Sequence, residues 1–148
     1  MPDSCFFCRF ISGIESDWNR LDDIVLRTER TTAFISPRWW PNNHGHVIVV
    51  PHDHVADLES IDDALLAEIY VTAKRIARGM RVAYACEGTS TRQHNGADAG
   101  QEVDHLHVHV FPRYANDQLY ARNDEHRFAA PAERALYAEK LRSALETR

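Results

Sequence analysis

The sequence predicts an α+β domain built on an antiparallel sheet. Three observations carry this expectation. Short β-branched runs separated by turn residues fill much of the chain, one long run repeats apolar residues at helical spacing, and strands and helices do not alternate as they do in parallel βαβ units. A length of 148 residues suits one domain with one core, and 44% hydrophobic with 26% charged residues is an ordinary globular balance that favours neither disorder nor a membrane-embedded chain.

The elements follow in order. Ile24 to Thr28 and Thr31 to Ser36 read as short strands around a turn at Glu29 and Arg30. Pro37, Pro41 and the pair Asn42-Asn43 mark a loop. His46 to Val50 is an apolar, β-branched run stopped by Pro51, the pattern of a buried strand. Ser60 to Met80 reads as the long helix: Ser60 with Asp63 resembles a capping box, and Ile61, Leu65, Ile69, Ala73 and Ile76 recur on one face. Gly79 is expected to weaken that helix near its end. Val82 to Cys86 and Thr89 to His94 read as further strands, and Gly96 to Gly100 as a loop of small residues. Leu106 to Phe111 reads as a strand ended by Pro112. Pro131 to Glu146 reads as a helix, with Pro131 near its first position and Leu136, Leu141 and Leu145 facing the core.

Composition also excludes function classes. No apolar run reaches the roughly 20 residues that span a bilayer, and the start Met-Pro-Asp-Ser-Cys lacks the basic and apolar regions of a secretory signal, so a cytoplasmic location and no membrane partner are expected. A net charge of −5 argues against duplex nucleic acid as partner, but a locally positive pocket on an acidic chain still accepts a small anion. Three cysteines, Cys5, Cys8 and Cys86, do not suggest a disulfide scaffold. Cys5 and Cys8 have metal or redox spacing, and Cys86 reads as a small core residue.

The decisive stretch is His105-Leu106-His107-Val108-His109-Val110-Phe111. Side chains alternate faces along a strand, so His105, His107 and His109 line one face about 7 Å apart while the aliphatics fill the other. Aligned imidazoles either bind a transition metal or supply a nucleophile with acid, base and phosphate-binding partners.

At these residues the chain resembles the histidine triad (HIT) family, whose signature alternates three histidines with apolar residues. Gly100 to Arg113 is similar to that signature. Asn42-Asn43-His44-Gly45-His46-Val47-Ile48-Val49-Val50-Pro51 resembles the family's Gly-His-Val-Leu-Val-Ile-Pro segment, and Cys5-Phe6-Phe7-Cys8 resembles the start of its bacterial members. The matches run from Cys5 to about Arg113. The resemblance implies a HIT-like fold: an antiparallel sheet of about five strands, one long helix and a C-terminal helix. Residues 1–148 would form a single HIT-like domain, with 1–12 the Cys-x-x-Cys segment and 114–148 a C-terminal extension containing the helix.

The resemblance also implies roles. His107 is the nucleophile toward the α-phosphorus of a nucleoside phosphate or dinucleoside polyphosphate, by way of a nucleotidyl-histidine intermediate. His46 and His109 stand at the phosphate, and backbone N–H groups near Gly100 and Gln101, with Asn95, add donors. Phe6, Phe34 and Ile35 stand near the nucleoside, although core packing explains each equally well. Trp39 and Trp40 stack on a base or pack at a dimer interface. Cys5, Cys8, His54 and His105 match the ligands of a structural Zn²⁺, and no catalytic metal is expected. A homodimer joined through the long helix and a continued sheet is implied too.

Three departures accompany the match. Ser36 stands at or beside a position where many members carry a ribose-binding Asp. His94-Asn95-Gly96 replaces an Asn-Asn-Gly loop. Glu102 stands where phosphoramidase-like members carry Ser or Thr, and a carboxylate there repels phosphate unless it points away. His109, in place of the Gln typical of the superfamily's transferases, favours hydrolysis. A nucleotide-sensing module with little activity and a zinc-dependent hydrolase centred on the histidine face are the alternatives.

Overall fold

The structure, a computed structural model, describes residues 4–146. The β-branched runs become the central strands of one sheet: β1 (Ile24–Arg27), β2 (Thr31–Ile35), β4 (Val47–Pro51), β5 (Gly88–Arg92) and β6 (Val108–Arg113). Their order is β1-β2-β4-β6-β5, every pair antiparallel. β3 (Arg38–Trp39) and β7 (Arg127–Phe128) pair as a separate ribbon. Ala33, Ile35, Val47, Val49, Val108 and Val110 point to one side, where α2 (Asp63–Ala83) and α3 (Pro131–Glu146) close the main core. At the N-terminal end α1 (Phe6–Ile11) covers part of the opposite face through Phe7 and Phe10.

Several elements differ from expectation for local physical reasons. The long helix starts later, because Asp62 is its N-cap and accepts from the Leu65 N–H at 2.8 Å, while Ser60 bonds to Asp57. It also runs through Gly79 to Ala83, which removes the strand expected over Val82 to Cys86. Gly79 is there for closeness: a Cβ on it would lie 3.0 Å from Leu145 and 3.1 Å from Leu141 of α3. Of the expected core leucines, Leu141 and Leu145 are buried, but Leu136 is 63% exposed.

Of the two prolines expected to stop strands, Pro51 is the last residue of β4 and Pro112 lies inside β6. Pro51 pairs with Thr31, and Pro112 with Thr89, each where the neighbouring strand on its other side has already ended. The missing N–H therefore costs no ladder bond. Each carbonyl on that open side finds a side-chain donor: His105 Nε2 for Pro51 at 2.9 Å and Asn43 Nδ2 for Pro112 at 2.9 Å. The strand expected over Leu106 to Phe111 accordingly starts at Val108 and continues to Arg113.

A fully buried ion pair fixes α3. Arg134 Nε donates to both Asp23 oxygens at 3.1 Å, and its remaining donors reach the carbonyls of Ala129 and Asp17, so neither charge lacks a partner. Among the described residues no helix is long and apolar enough to cross a membrane.

Candidate functional site

The sheet face away from α2 carries the chemistry. Register partners Phe34, Ile48, His109 and Arg92 form one row across β2, β4, β6 and β5. Antiparallel partners share a face, so the row grades from apolar to imidazole to guanidinium over about 14 Å, three strand spacings. A cavity of about 570 Å³ opens above it, and all four residues line it together with His46 and His107.

His107 is held by its own strand. Its Nδ1 lies 2.8 Å from the His105 carbonyl, and a carbonyl only accepts, so Nδ1 carries the proton and donates. Nε2 is then the basic nitrogen. The ring packs edge-on against Phe7 at 5.1 Å and against His109 at 5.1 Å, and burial lowers its pKa below the ordinary histidine value, which favours the neutral ring.

His46 and His109 form a second imidazole pair, with His109 Nδ1 and His46 Nε2 at 3.4 Å. His46 is fully buried and stacked on Phe111 at 4.3 Å, and its Nδ1 has no hydrogen-bond partner among the described residues. Burial pushes its pKa down to about 3, with Arg92 and then Arg38 adding to the effect. Burial likewise holds His109 well below the usual range. Both rings are neutral at pH 7 and carry one N–H each; one is spent between the rings, so the pair keeps a single N–H for a phosphoryl group, without formal charge.

Two arginines line the cavity that sequence reading did not single out. Arg38 Nη1 donates to Glu102 at 2.8 Å, so the carboxylate that raised the prospect of repulsion is neutralised at the rim. Arg92 lies over Phe111 at 4.8 Å and Trp40 at 5.4 Å. A signal for Arg92 was present, since Arg92 and His94 alternate on the expected strand. Its facing depended on a cross-strand register that one sequence does not reveal. The segment after β6 also contributes Asn123 and His126 to the cavity wall.

The other expected residues divide. Phe6, Phe34, Ser36, Trp40, His94 and Gly100 line the cavity. The Ser36 hydroxyl accepts from the Arg38 N–H at 3.2 Å and so shapes the turn into β3. Gly100 has φ +94° and lies against the His94 ring, a backbone state that suits glycine. Asn95 and Gln101 do not line the cavity. Asn95 Oδ1 accepts from the Leu58 N–H at 2.7 Å, and Gln101 Nε2 donates to the Ala56 carbonyl at 2.7 Å, so both brace the loop. The N–H groups of Gly100 and Gln101 also donate within it, to Ala97 and Gly96. Ile35 faces the main core, and Trp39 is fully buried, stacked on His44.

His105 belongs to a different cluster from its two neighbours. Cys5, Cys8, His54 and His105 each bring one ligand atom to within 4.8 Å of the others. His105 Nδ1 lies 3.4 Å from Cys5 Sγ and 3.5 Å from Cys8 Sγ, and His54 Nδ1 lies 3.3 Å from Cys8 Sγ. In a tetrahedral zinc site, bonds of about 2.3 Å to sulfur and 2.0 Å to nitrogen set N–S edges near 3.5 Å, so the donor set fits that ion. The Nε2–H of His105, donated to Pro51, fixes which nitrogen faces the sulfurs.

Comparisons with known proteins agree with this geometry. The model of the HIT domain matches residues 19–116. The adenosine 5'-monophosphoramidase of Saccharomyces cerevisiae is 31% identical over 110 residues, covering 74% of this chain and 63% of that protein. The asymmetrical bis(5'-nucleosyl)-tetraphosphatase of Schizosaccharomyces pombe is 27% identical over 124 residues, 84% of this chain and 62% of that protein. Among solved structures, a Zn-bound histidine triad family protein from Mycobacterium smegmatis superposes with a TM-score of 0.81 at 27% identity, covering 99% of this chain and 96% of that one.

Proposed function

The chain belongs to the histidine triad (HIT) family, and from that premise we propose that it is a nucleotide hydrolase acting at the α-phosphorus of a nucleoside phosphate or dinucleoside polyphosphate. One observation carries the reading: His107 commits its Nδ1–H to a backbone carbonyl and so keeps Nε2 basic in a cavity shared with His46 and His109. Nε2 attacks phosphorus, a nitrogen–phosphorus bond forms, and the leaving group departs with the electron pair of the bond that breaks. Water then attacks the nucleotidyl-histidine, its oxygen bonds to phosphorus, one proton is released, and the imidazole recovers its lone pair. His46 and His109, bonded to each other, present their one remaining N–H as a preorganised donor to a phosphoryl oxygen. Phe6, Phe34 and Ile48 take the apolar part of the nucleoside.

In the same proposal Cys5, Cys8, His54 and His105 hold a structural Zn²⁺, which when bound ties the start of α1 to the sheet beside His107. The solution form is a homodimer, supported by apolar residues left exposed on α2 and α3.

The test compares the parent with His107→Asn on adenosine 5'-phosphoramidate and diadenosine tetraphosphate. Turnover falls by about a thousandfold or more, as expected when a nucleophile is removed. Acid-quenched parent carries a nucleotidyl mass adduct that the variant lacks. A variant that turns over like the parent overturns the nucleophile, and a parent that binds nucleotide but cleaves neither substrate makes the protein a binding module.

A further inference from the structure

We propose that Arg92 is the subsite for a second, negatively charged phosphate on the leaving group, so that the preferred substrates are nucleoside polyphosphates cleaved at a P–O–P bond rather than phosphoramidates that release an uncharged amine. This rests on the hydrolase reading above and deepens it.

The placement comes from register. Arg92 is the direct cross-strand partner of His109, on the side away from Ile48 and Phe34. A nucleotide lying along the row puts its apolar part over Phe34 and Ile48 and its reacting phosphate at the histidines. The group beyond that phosphate then meets β5, one strand spacing of about 4.8 Å further on. That step suits the next phosphate of a polyphosphate chain.

The charge balance points the same way. Arg38 is already paired with Glu102 at 2.8 Å. Asp124, the other carboxylate on the cavity wall, is exposed. Arg92 makes no ion pair and no side-chain hydrogen bond among the described residues, and its buried Nε has no acceptor. Phe111 and Trp40 hold the guanidinium in place, but aromatic rings cancel none of its formal charge. A half-buried cation facing a cavity with unused in-plane donors is built to receive an oxyanion. Because His46 and His109 are neutral, Arg92 sets a full positive charge beside them; Glu102 attracts it through space but is hydrogen-bonded to Arg38 and not to Arg92.

The role in the reaction is specific. When Nε2 of His107 bonds to the α-phosphorus, the bridging oxygen takes the electron pair of the broken P–O bond and leaves as part of a phosphate anion. Arg92 stabilises that charge and transfers no proton. An amine leaving group needs a proton from solvent or a buffer acid instead, and gains nothing from a fixed cation.

The experiment measures kcat/KM for diadenosine tetraphosphate and for adenosine 5'-phosphoramidate in the parent, Arg92→Gln and Arg92→Lys. Arg92→Gln lowers the tetraphosphate value at least about tenfold more than the phosphoramidate value, in line with losing a preorganised charged donor, and Arg92→Lys recovers part of the difference. Equal losses on both substrates overturn the proposal. A second readout needs no turnover: in the His107→Asn background, ADP binds more tightly than AMP, and adding Arg92→Gln removes that preference. An ADP-to-AMP ratio indifferent to Arg92 also overturns it. Failure of the hydrolase reading is distinguishable, because there the parent itself cleaves neither substrate, or His107→Asn leaves turnover intact.

Discussion

His46 and His109 place two imidazoles in a buried site, and that burial has a measurable cost in acid. Unfolded, each takes up a proton near 6.5; folded, His46 does so only at about 3, and His109 only well below its ordinary value. Between those limits the unfolded chain binds more protons than the folded one, so stability is lost as pH falls. Each such histidine contributes a slope of about 1.4 kcal/mol per pH unit well below 6.5. Urea unfolding of the parent from about pH 7 to about pH 5 is expected to show this loss, and His46→Gln to flatten it by about one proton's worth. A variant with the parent's slope excludes His46 as a source. At this scale the histidines were legible because alternation on a strand is a local property of the chain. Arg92 and Arg38 were not: their roles come from what lies opposite, His109 for one and Glu102 for the other.

Six residues of α1 are too few to show a helical period, and β3 and β7 have two residues each. These elements exist through tertiary contacts, which explains why the N-terminal segment read as a metal-binding motif without a conformation. Gly79 misled for a related reason: a residue that weakens an isolated helix is here the point where α3 packs closest. The Cys-x-x-Cys pair did mark a real convergence, with Cys5 capping α1 through its sulfur and Cys8 meeting His54. The expected consequence is one zinc per chain by elemental analysis, and none in Cys8→Ser. Because Phe7 of α1 packs against both His105 and His107, loss of the metal is expected to lower Tm by about 5 °C or more and to reduce turnover as well. A Cys8→Ser protein with the parent's zinc content and melting curve would remove these residues from the metal site.

The strand order of the whole sheet joins segments far apart in the chain, and no local pattern encodes which edges meet; the antiparallel α+β class was legible, while the row from Phe34 to Arg92 was not. The apolar surface left outside the core follows the same division. Val71 and Val82 lie eleven residues apart on α2, close to three full turns, so they face the same side. They are 57% and 70% exposed, and Leu136 of α3 is 63% exposed beside Val82 and Tyr137. Leu136 thus keeps its apolar character while mostly exposed. A two-fold axis along this side would bring α2 against its copy and bury the same residues twice, the self-complementary arrangement of cyclic dimers. A stable contact of that kind needs about 800 Å² from each chain, which a 21-residue helix with its α3 neighbour is large enough to supply. The parent is therefore expected to elute with scattering mass near twice 17.0 kDa, and Val82→Glu, which sets like charges against each other across the axis, to shift it toward 17.0 kDa. His46, His107, His109 and Arg92 all come from one chain and from the opposite sheet face, so the separated protomer is expected to keep its cavity and bind nucleotide. A parent that runs as a monomer, or a Val82→Glu protein that stays dimeric, would place the contact elsewhere and leave the exposed valines without this explanation.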